Sequence, residues 1–205
     1  IKNHQIKMDI VFIVDWWEHA WALDYQSDKK SYLANQWKII NWNIVSSRIG
    51  NRQLVLEGKI SKIAVVGDSI ALGLSRSFPT AQVDAVVGRS TKAILSAVAG
   101  NKSVQGADLA IVSAGTNDYP LANGGKNNNP AATIANIESI KSVLKAKQYL
   151  WVLPFNRNAA KDVQSSIGGD ASIDLAEVSD TQDKLHPTSY NAVASVIKSR
   201  IGLTS

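Results

Sequence analysis

The chain has 205 residues, 45% of them hydrophobic and 19% charged, with a net charge of +5. That composition excludes a disordered polymer and supplies the apolar material for one ordinary domain plus an appendage. It has no cysteine, so disulfides and thiolate metal sites are excluded. The 22 basic residues are spread along the chain, with no cluster beyond Lys29-Lys30. A nucleic-acid surface concentrates its Lys and Arg, so no nucleic-acid partner is expected. No apolar run approaches the ~20 residues of a membrane helix, and no signal-peptide pattern is visible. The chain opens at Ile1 rather than Met, from which we expect its natural beginning to lie upstream.

Tryptophan divides the sequence. Trp16, Trp17, Trp21, Trp37 and Trp42 precede residue 43, and only Trp151 follows. We expect a small, mostly helical segment over 1–50, a connector with some strand character over 51–61, and a main domain over 62–205. The tryptophans of the first segment are expected to pack its short helices together. Within it, Asp15 and His19 stand four residues apart. That spacing points both to one side of a helix that has begun by Asp15.

From residue 62 strand and helix patterns alternate. Strands are predicted at Lys62–Gly67, Val83–Val87, Ala107–Ser113 and Tyr149–Leu153, with a short fifth at Ile173–Val178. Helices are predicted at Ile70–Ser77, Thr91–Ala99 and Ala131–Ala146. A last one runs over Thr188–Ile201, capped by Thr188 or Ser189, with Pro187 at its start. Ala122–Pro130, rich in Asn and Gly, reads as an exposed loop. The expectation is an α/β fold, flavodoxin-like, with a parallel sheet of about five strands between two helical layers. Ligands of such sheets bind at the carboxyl ends of the strands.

Four short blocks fall at those ends: Gly67-Asp68-Ser69, Gly88, Gly115-Thr116-Asn117-Asp118 and Asp183-Lys184-Leu185-His186-Pro187. Ser69 sits between a strand and a helix, where the helix dipole favours developing negative charge. A serine hydroxyl needs a base to become a nucleophile, and His186 is the only histidine after residue 19. Asp183, three residues before it, is placed to orient the imidazole. The backbone N–H of Gly88, the side-chain amide of Asn117 and the N–H of Ser69 are candidate donors to an oxyanion.

These blocks resemble the SGNH hydrolases, also called GDSL esterases and lipases, whose Ser, Gly, Asn and His match Ser69, Gly88, Asn117 and His186. Asp183 matches the usual partner of the histidine. The family's Gly-Asp-Ser-Leu reads Gly-Asp-Ser-Ile here, and about 145 residues is short for the family. The resemblance implies a serine esterase that needs no cofactor, acting on small esters or O-acetylated carbohydrate.

A second resemblance lies in residues 10–50. Asp15-Trp16-Trp17-Glu18-His19-Ala20-Trp21, with Tyr32-Leu33, Trp37 and Ile40-Asn41-Trp42, is similar to the C-terminal end of iron/manganese superoxide dismutases. There the residues matching Asp15 and His19 ligate the metal. The family's two further histidines come from an earlier helical half, so an iron or manganese site here implies ligands from another segment or chain. Two alternatives to the esterase follow. One is a dismutase-like metal protein completed in that way. The other is a non-catalytic modular assembly protein, such as a viral structural protein, that self-associates through the N-terminal segment.

Overall fold

The computed structural model describes residues 14–40, 42, 45, 60–119 and 129–203. Contacts divide the chain into two compact units, 1–52 and 53–205.

In the first unit, helices α1 (Glu18–Tyr25) and α2 (Lys29–Ile39) are described. Asp28 caps α2, its carboxylate accepting from the Ser31 N–H. Trp21 and Tyr32 are buried. Tyr32 donates its hydroxyl to the Asp15 carbonyl at 2.7 Å and meets Tyr25 edge-on at 5.5 Å. The expectation that the tryptophans pack the helices together holds for Trp21 alone. Trp16, Trp17, Trp37 and Trp42 are 46–66% exposed, and Trp37 and Trp42 stack on each other at 5.6 Å. A helix pair of this length is too small to cover five indoles. The strand-like start of this segment before Val14, and nearly all of the 51–61 connector, lie outside the described residues.

The second unit has a five-stranded, wholly parallel sheet in the order β2-β1-β3-β4-β5. The strands are β1 (Ile63–Gly67), β2 (Gln82–Ala85), β3 (Leu109–Ser113), β4 (Gln148–Leu153) and β5 (Ala171–Asp174). The helices are α3 (Ser69–Ser75), α4 (Thr91–Gly100), α5 (Pro130–Leu144), α6 (Arg157–Ser166), α7 (Leu175–Val178) and α8 (Tyr190–Arg200). Successive strand side chains point to opposite faces, and here both faces are buried. Ala64, Val66, Ala110, Val112 and Trp151 join Ile94, Val98, Ile137, Ile140 and Val163 of α4, α5 and α6 on one face. Val65, Ile111, Leu150, Val152 and Ile173 join Ile70, Leu74, Val193 and Ile197 of α3 and α8 on the other. The expected three-layer α/β fold is therefore the fold observed.

Several expected boundaries are corrected. The fifth strand is Ala171–Asp174, and Leu175–Val178 is helical because the Asp174 carboxylate accepts from the Ala176 N–H and caps a new turn. Helix α6 went unrecognised in the sequence. Asn156 caps it with bonds from the Asn158 and Ala159 N–H groups. The loop expected through Pro130 ends at Asn129, whose side chain accepts from the Ala132 N–H and caps α5; residues 122–128 lie outside the described residues. The last helix starts at Tyr190, capped by Ser189, and Pro187 stands before it in an antiparallel bridge with Thr181. Among the described residues, no helix is long and apolar enough to cross a membrane.

Candidate active site

Strand β1 ends at Gly67 with φ +143°. A Cβ there would lie 1.9 Å from the Ser113 carbonyl oxygen of β3, so only glycine lets the chain turn this close to its neighbour. Asp68 then caps α3, its Oδ1 accepting from the Ile70 N–H at 3.0 Å. The result is a sharp strand-to-helix turn with Ser69 as the first helical residue.

Asp68 is fully buried. Burial is the largest influence on its carboxyl and raises the pKa. The neighbouring hydroxyls of Ser113 and Thr116 and the Ile70 N–H pull the other way and lose. Asp68 Oδ2, Ser113 Oγ and Thr116 Oγ1 are all buried outside hydrogen-bonding geometry, which leaves burial the stronger effect.

The last block reaches Ser69 across 117 positions of sequence. Ser69 Oγ lies 2.8 Å from His186 Nε2, and His186 Nδ1 lies 2.6 Å from Asp183 Oδ2. With its proton on Nδ1, the imidazole donates to Asp183 and accepts from the Ser69 hydroxyl. The other carboxylate oxygen, Oδ1, accepts from the N–H groups of Leu185 at 2.9 Å and His186 at 2.7 Å. The His186 ring and these two N–H groups together hold the Asp183 carboxyl well below the usual carboxylate range.

The loop carrying both groups is closed at its base. Thr181 and Pro187 pair antiparallel, and the Thr188 N–H donates to the Asp180 carbonyl at 2.9 Å. At its tip Lys184 adopts φ +63°, a left-handed conformation costly for a side chain with a Cβ. This closed loop, rather than a helix begun by Pro187, positions His186.

Gly88 lies in the turn after β2 with φ +78° and nothing within 4 Å of an added Cβ. Asn117 lies in a 3-10 turn, Thr116–Asp118, after β3. Its side chain donates one N–H to the Arg89 carbonyl at 3.0 Å. Asn117 is thereby tied to the turn that holds Gly88, and an amide nitrogen has a second hydrogen to offer.

In the first unit, His19 Nε2 lies 3.1 Å from Asp15 Oδ2. The helix has not begun by Asp15, since α1 starts at Glu18, yet the pair still meets. Both residues are exposed. Among the described residues no group of three or more His, Cys, Asp or Glu converges as a metal cluster. Two donors do not complete a coordination sphere for iron or manganese, so this pair does not fit the metal as it stands.

Residues 1–48 match the family model described as iron/manganese superoxide dismutases, C-terminal domain. The superoxide dismutase [Fe] of Pyrobaculum aerophilum is 36% identical over 58 residues, 28% of this chain and 26% of that protein. The mitochondrial superoxide dismutase [Mn] of Aspergillus niger is 51% identical over 41 residues, 20% of each. The chain thus spans about a quarter or less of the curated relatives it matches.

Among solved structures, a GDSL-like lipase from Bacteroides thetaiotaomicron aligns with a TM-score of 0.51 at 18% identity, covering 85% of this chain and 97% of that one. A lipase/acylhydrolase from Enterococcus faecalis aligns at 0.52 and 16% identity, covering 68% and 94%. An acetylxylan esterase from Geobacillus stearothermophilus aligns at 0.52 and 17% identity, covering 70% and 94%. The second unit therefore has the fold of GDSL-type lipases and acylhydrolases, and the first resembles the C-terminal domain of iron/manganese superoxide dismutases.

Proposed function

We propose that the chain is a serine esterase whose nucleophile is Ser69. The observation that carries the proposal is the unbroken run of hydrogen bonds from Ser69 Oγ through His186 to Asp183, at 2.8 and 2.6 Å. A serine beside a base, with the base oriented by a third group, is the arrangement nucleophilic acyl transfer requires.

Ser69 Oγ attacks the acyl carbonyl carbon and its proton passes to His186 Nε2. Asp183 stabilises the imidazolium. The Ser69 and Gly88 N–H groups and the second amide hydrogen of Asn117 donate to the oxyanion. Collapse of the tetrahedral intermediate releases the alcohol, which takes the proton from His186. Water then attacks the acyl-serine with His186 as base, releasing the carboxylate and free Ser69.

Small esters and O-acetyl groups on carbohydrate are the proposed substrates. The supporting point is that the fold is shared with an acetylxylan esterase. No cofactor enters any step. Incubation with a fluorophosphonate probe beside Ser69→Ala, read by intact mass, tests the nucleophile. Labelling of the wild type alone is the expected result, and an unlabelled folded wild type rejects the proposal.

A further inference from the structure

We propose that Asp118 is a positioning residue that clamps the turn after β2 and keeps Gly88 and Asn117 in register with Ser69. The role rests on the esterase reading above.

The turn needs an anchor. Val86, Val87 and Gly88 are all exposed, and nothing lies within 4 Å of an added Cβ at Gly88. Core packing therefore does not fix this segment. On its near side the Val86 N–H donates to the Gly67 carbonyl at 3.2 Å. On its far side Asp118 takes hold of Thr91 twice. Oδ2 accepts from the Thr91 N–H at 2.9 Å, and Oδ1 accepts from the Thr91 hydroxyl at 2.7 Å. Asn136 donates to that hydroxyl oxygen at 3.0 Å, which leaves the Thr91 hydrogen for Asp118.

Consecutive residues of one 3-10 turn thus grip both ends of a three-residue stretch. Asn117 binds the Arg89 carbonyl and Asp118 binds Thr91. The stretch between starts one residue after Gly88. Arg89 is itself held by the Asp84 carboxylate at 2.5 Å. Ser90 caps α4 through the Ala93 N–H, and Asp118 meets a different free N–H of that helix start, on Thr91. Bonds to an ionised acceptor are about twice as strong as neutral ones. A carboxylate is therefore the group suited to holding an unpacked turn. Its consequence is geometric: release of Thr91 loosens the turn that carries Gly88 and the Arg89 carbonyl to which Asn117 is tied.

The test is steady-state hydrolysis of 4-nitrophenyl acetate by the full chain carrying Asp118→Ala, Asn117→Ala, both together, Thr91→Val or Thr91→Ser. The expected result for Asp118→Ala is a kcat lowered roughly 10- to 100-fold with KM little changed, the signature of a loss felt at the oxyanion. The double variant should be no slower than the slower single one, because both act through the same donors. Thr91→Ser keeps both donors to Asp118 and should behave as wild type, whereas Thr91→Val should lose part of kcat. Hydrogen exchange over residues 86–93 should rise in Asp118→Ala while β4 stays protected, a readout that needs no turnover. If Asp118→Ala fails to fold, the Thr91→Val and Thr91→Ser pair decides.

A wild-type kcat in Asp118→Ala, or a double variant at the product of the two single losses, overturns the positioning role and leaves the esterase standing. A wild type that neither hydrolyses the ester nor takes the fluorophosphonate overturns both.

Discussion

The Tyr190 ring lies directly on Gly73. A Cβ on Gly73 would stand 2.3 Å from both Cε1 and Cζ of that ring. Gly73 is one helical turn beyond Ser69 on α3, and Tyr190 opens α8 four residues after His186. The contact therefore joins α3 and α8 about one turn along the chain from the Ser69–His186 bond and limits how closely the two helices approach. Gly73→Ala gains up to ~1 kcal/mol of helix propensity, but the ring has to move, and overpacking costs about 1–3 kcal/mol. We expect a lower Tm and a lower kcat on an acetyl ester, since α3 carries Ser69, the proposed nucleophile. Gly73→Ala combined with Tyr190→Leu should recover much of both. Thermal denaturation with kinetics on the two variants checks this, and a Gly73→Ala protein at wild-type Tm and kcat would remove the argument.

Asp183→Asn separates loop shape from electrostatics. The amide oxygen can still accept from the Leu185 and His186 N–H groups that bind Oδ1. The NH2 that replaces Oδ2 is a donor, so His186 Nδ1 becomes an acceptor and the ring proton moves to Nε2. Nε2 then cannot take the Ser69 proton. Asp183→Asn should lower kcat by about 10²- to 10⁴-fold with KM and far-UV circular dichroism close to wild type. A loss of under tenfold would mean that the carboxylate is not needed to hold the tautomer.

The fold was legible because its strands are short apolar runs between helical patterns, and the first three blocks were legible because each follows a strand, whereas the Asp183–Pro187 block lies in a loop beyond the short helix after β5. Two kinds of feature were hidden. Asp174 and Asn156 start helices by capping, a signal carried by one side chain that apolar periodicity overlooks. Asp118 and Tyr190 stand in or beside the four blocks, but their partners Thr91 and Gly73 are distant in sequence, and only the packed sheet brings them together. In the first segment the match to a dismutase end marked Asp15 and His19 but not the exposure of its indoles, which depends on what else packs there.

Asp68→Asn should reveal a pH-dependent strain beside Ser69. Burial raises the folded-state pKa of Asp68 above its unfolded value near 3.8. The folded state thus holds this proton more tightly than the unfolded chain. The resulting stability is fully present below the unfolded value and is lost as pH rises through the raised folded one. Asn keeps an oxygen to cap α3 at the Ile70 N–H and never ionises. Its Tm relative to wild type should therefore climb as pH is raised from about 4, as followed by thermal melts across a pH series. A Tm difference that stays flat or falls with pH would contradict a raised pKa.

Gly67 and Gly88 both have positive φ, but they should fail differently. At Gly67 the obstacle is backbone, the Ser113 carbonyl at 1.9 Å, which cannot swing aside as a side chain would. Gly67→Ala must push β1 off β3 at the point where Ser69 is presented, so we expect little folded protein on expression. At Gly88 there is open space, and the cost is conformational, about 1–2 kcal/mol for a left-handed alanine. Gly88→Ala should therefore fold with a modestly lowered Tm. Its main effect should fall on kcat, because relaxing φ re-aims an N–H that the proposed mechanism uses. Comparing soluble yield, Tm and kcat for the two variants checks the contrast. A Gly88→Ala enzyme with lowered Tm and unchanged kcat would take Gly88 out of the oxyanion site and leave the Ser69 and Asn117 donors to serve it.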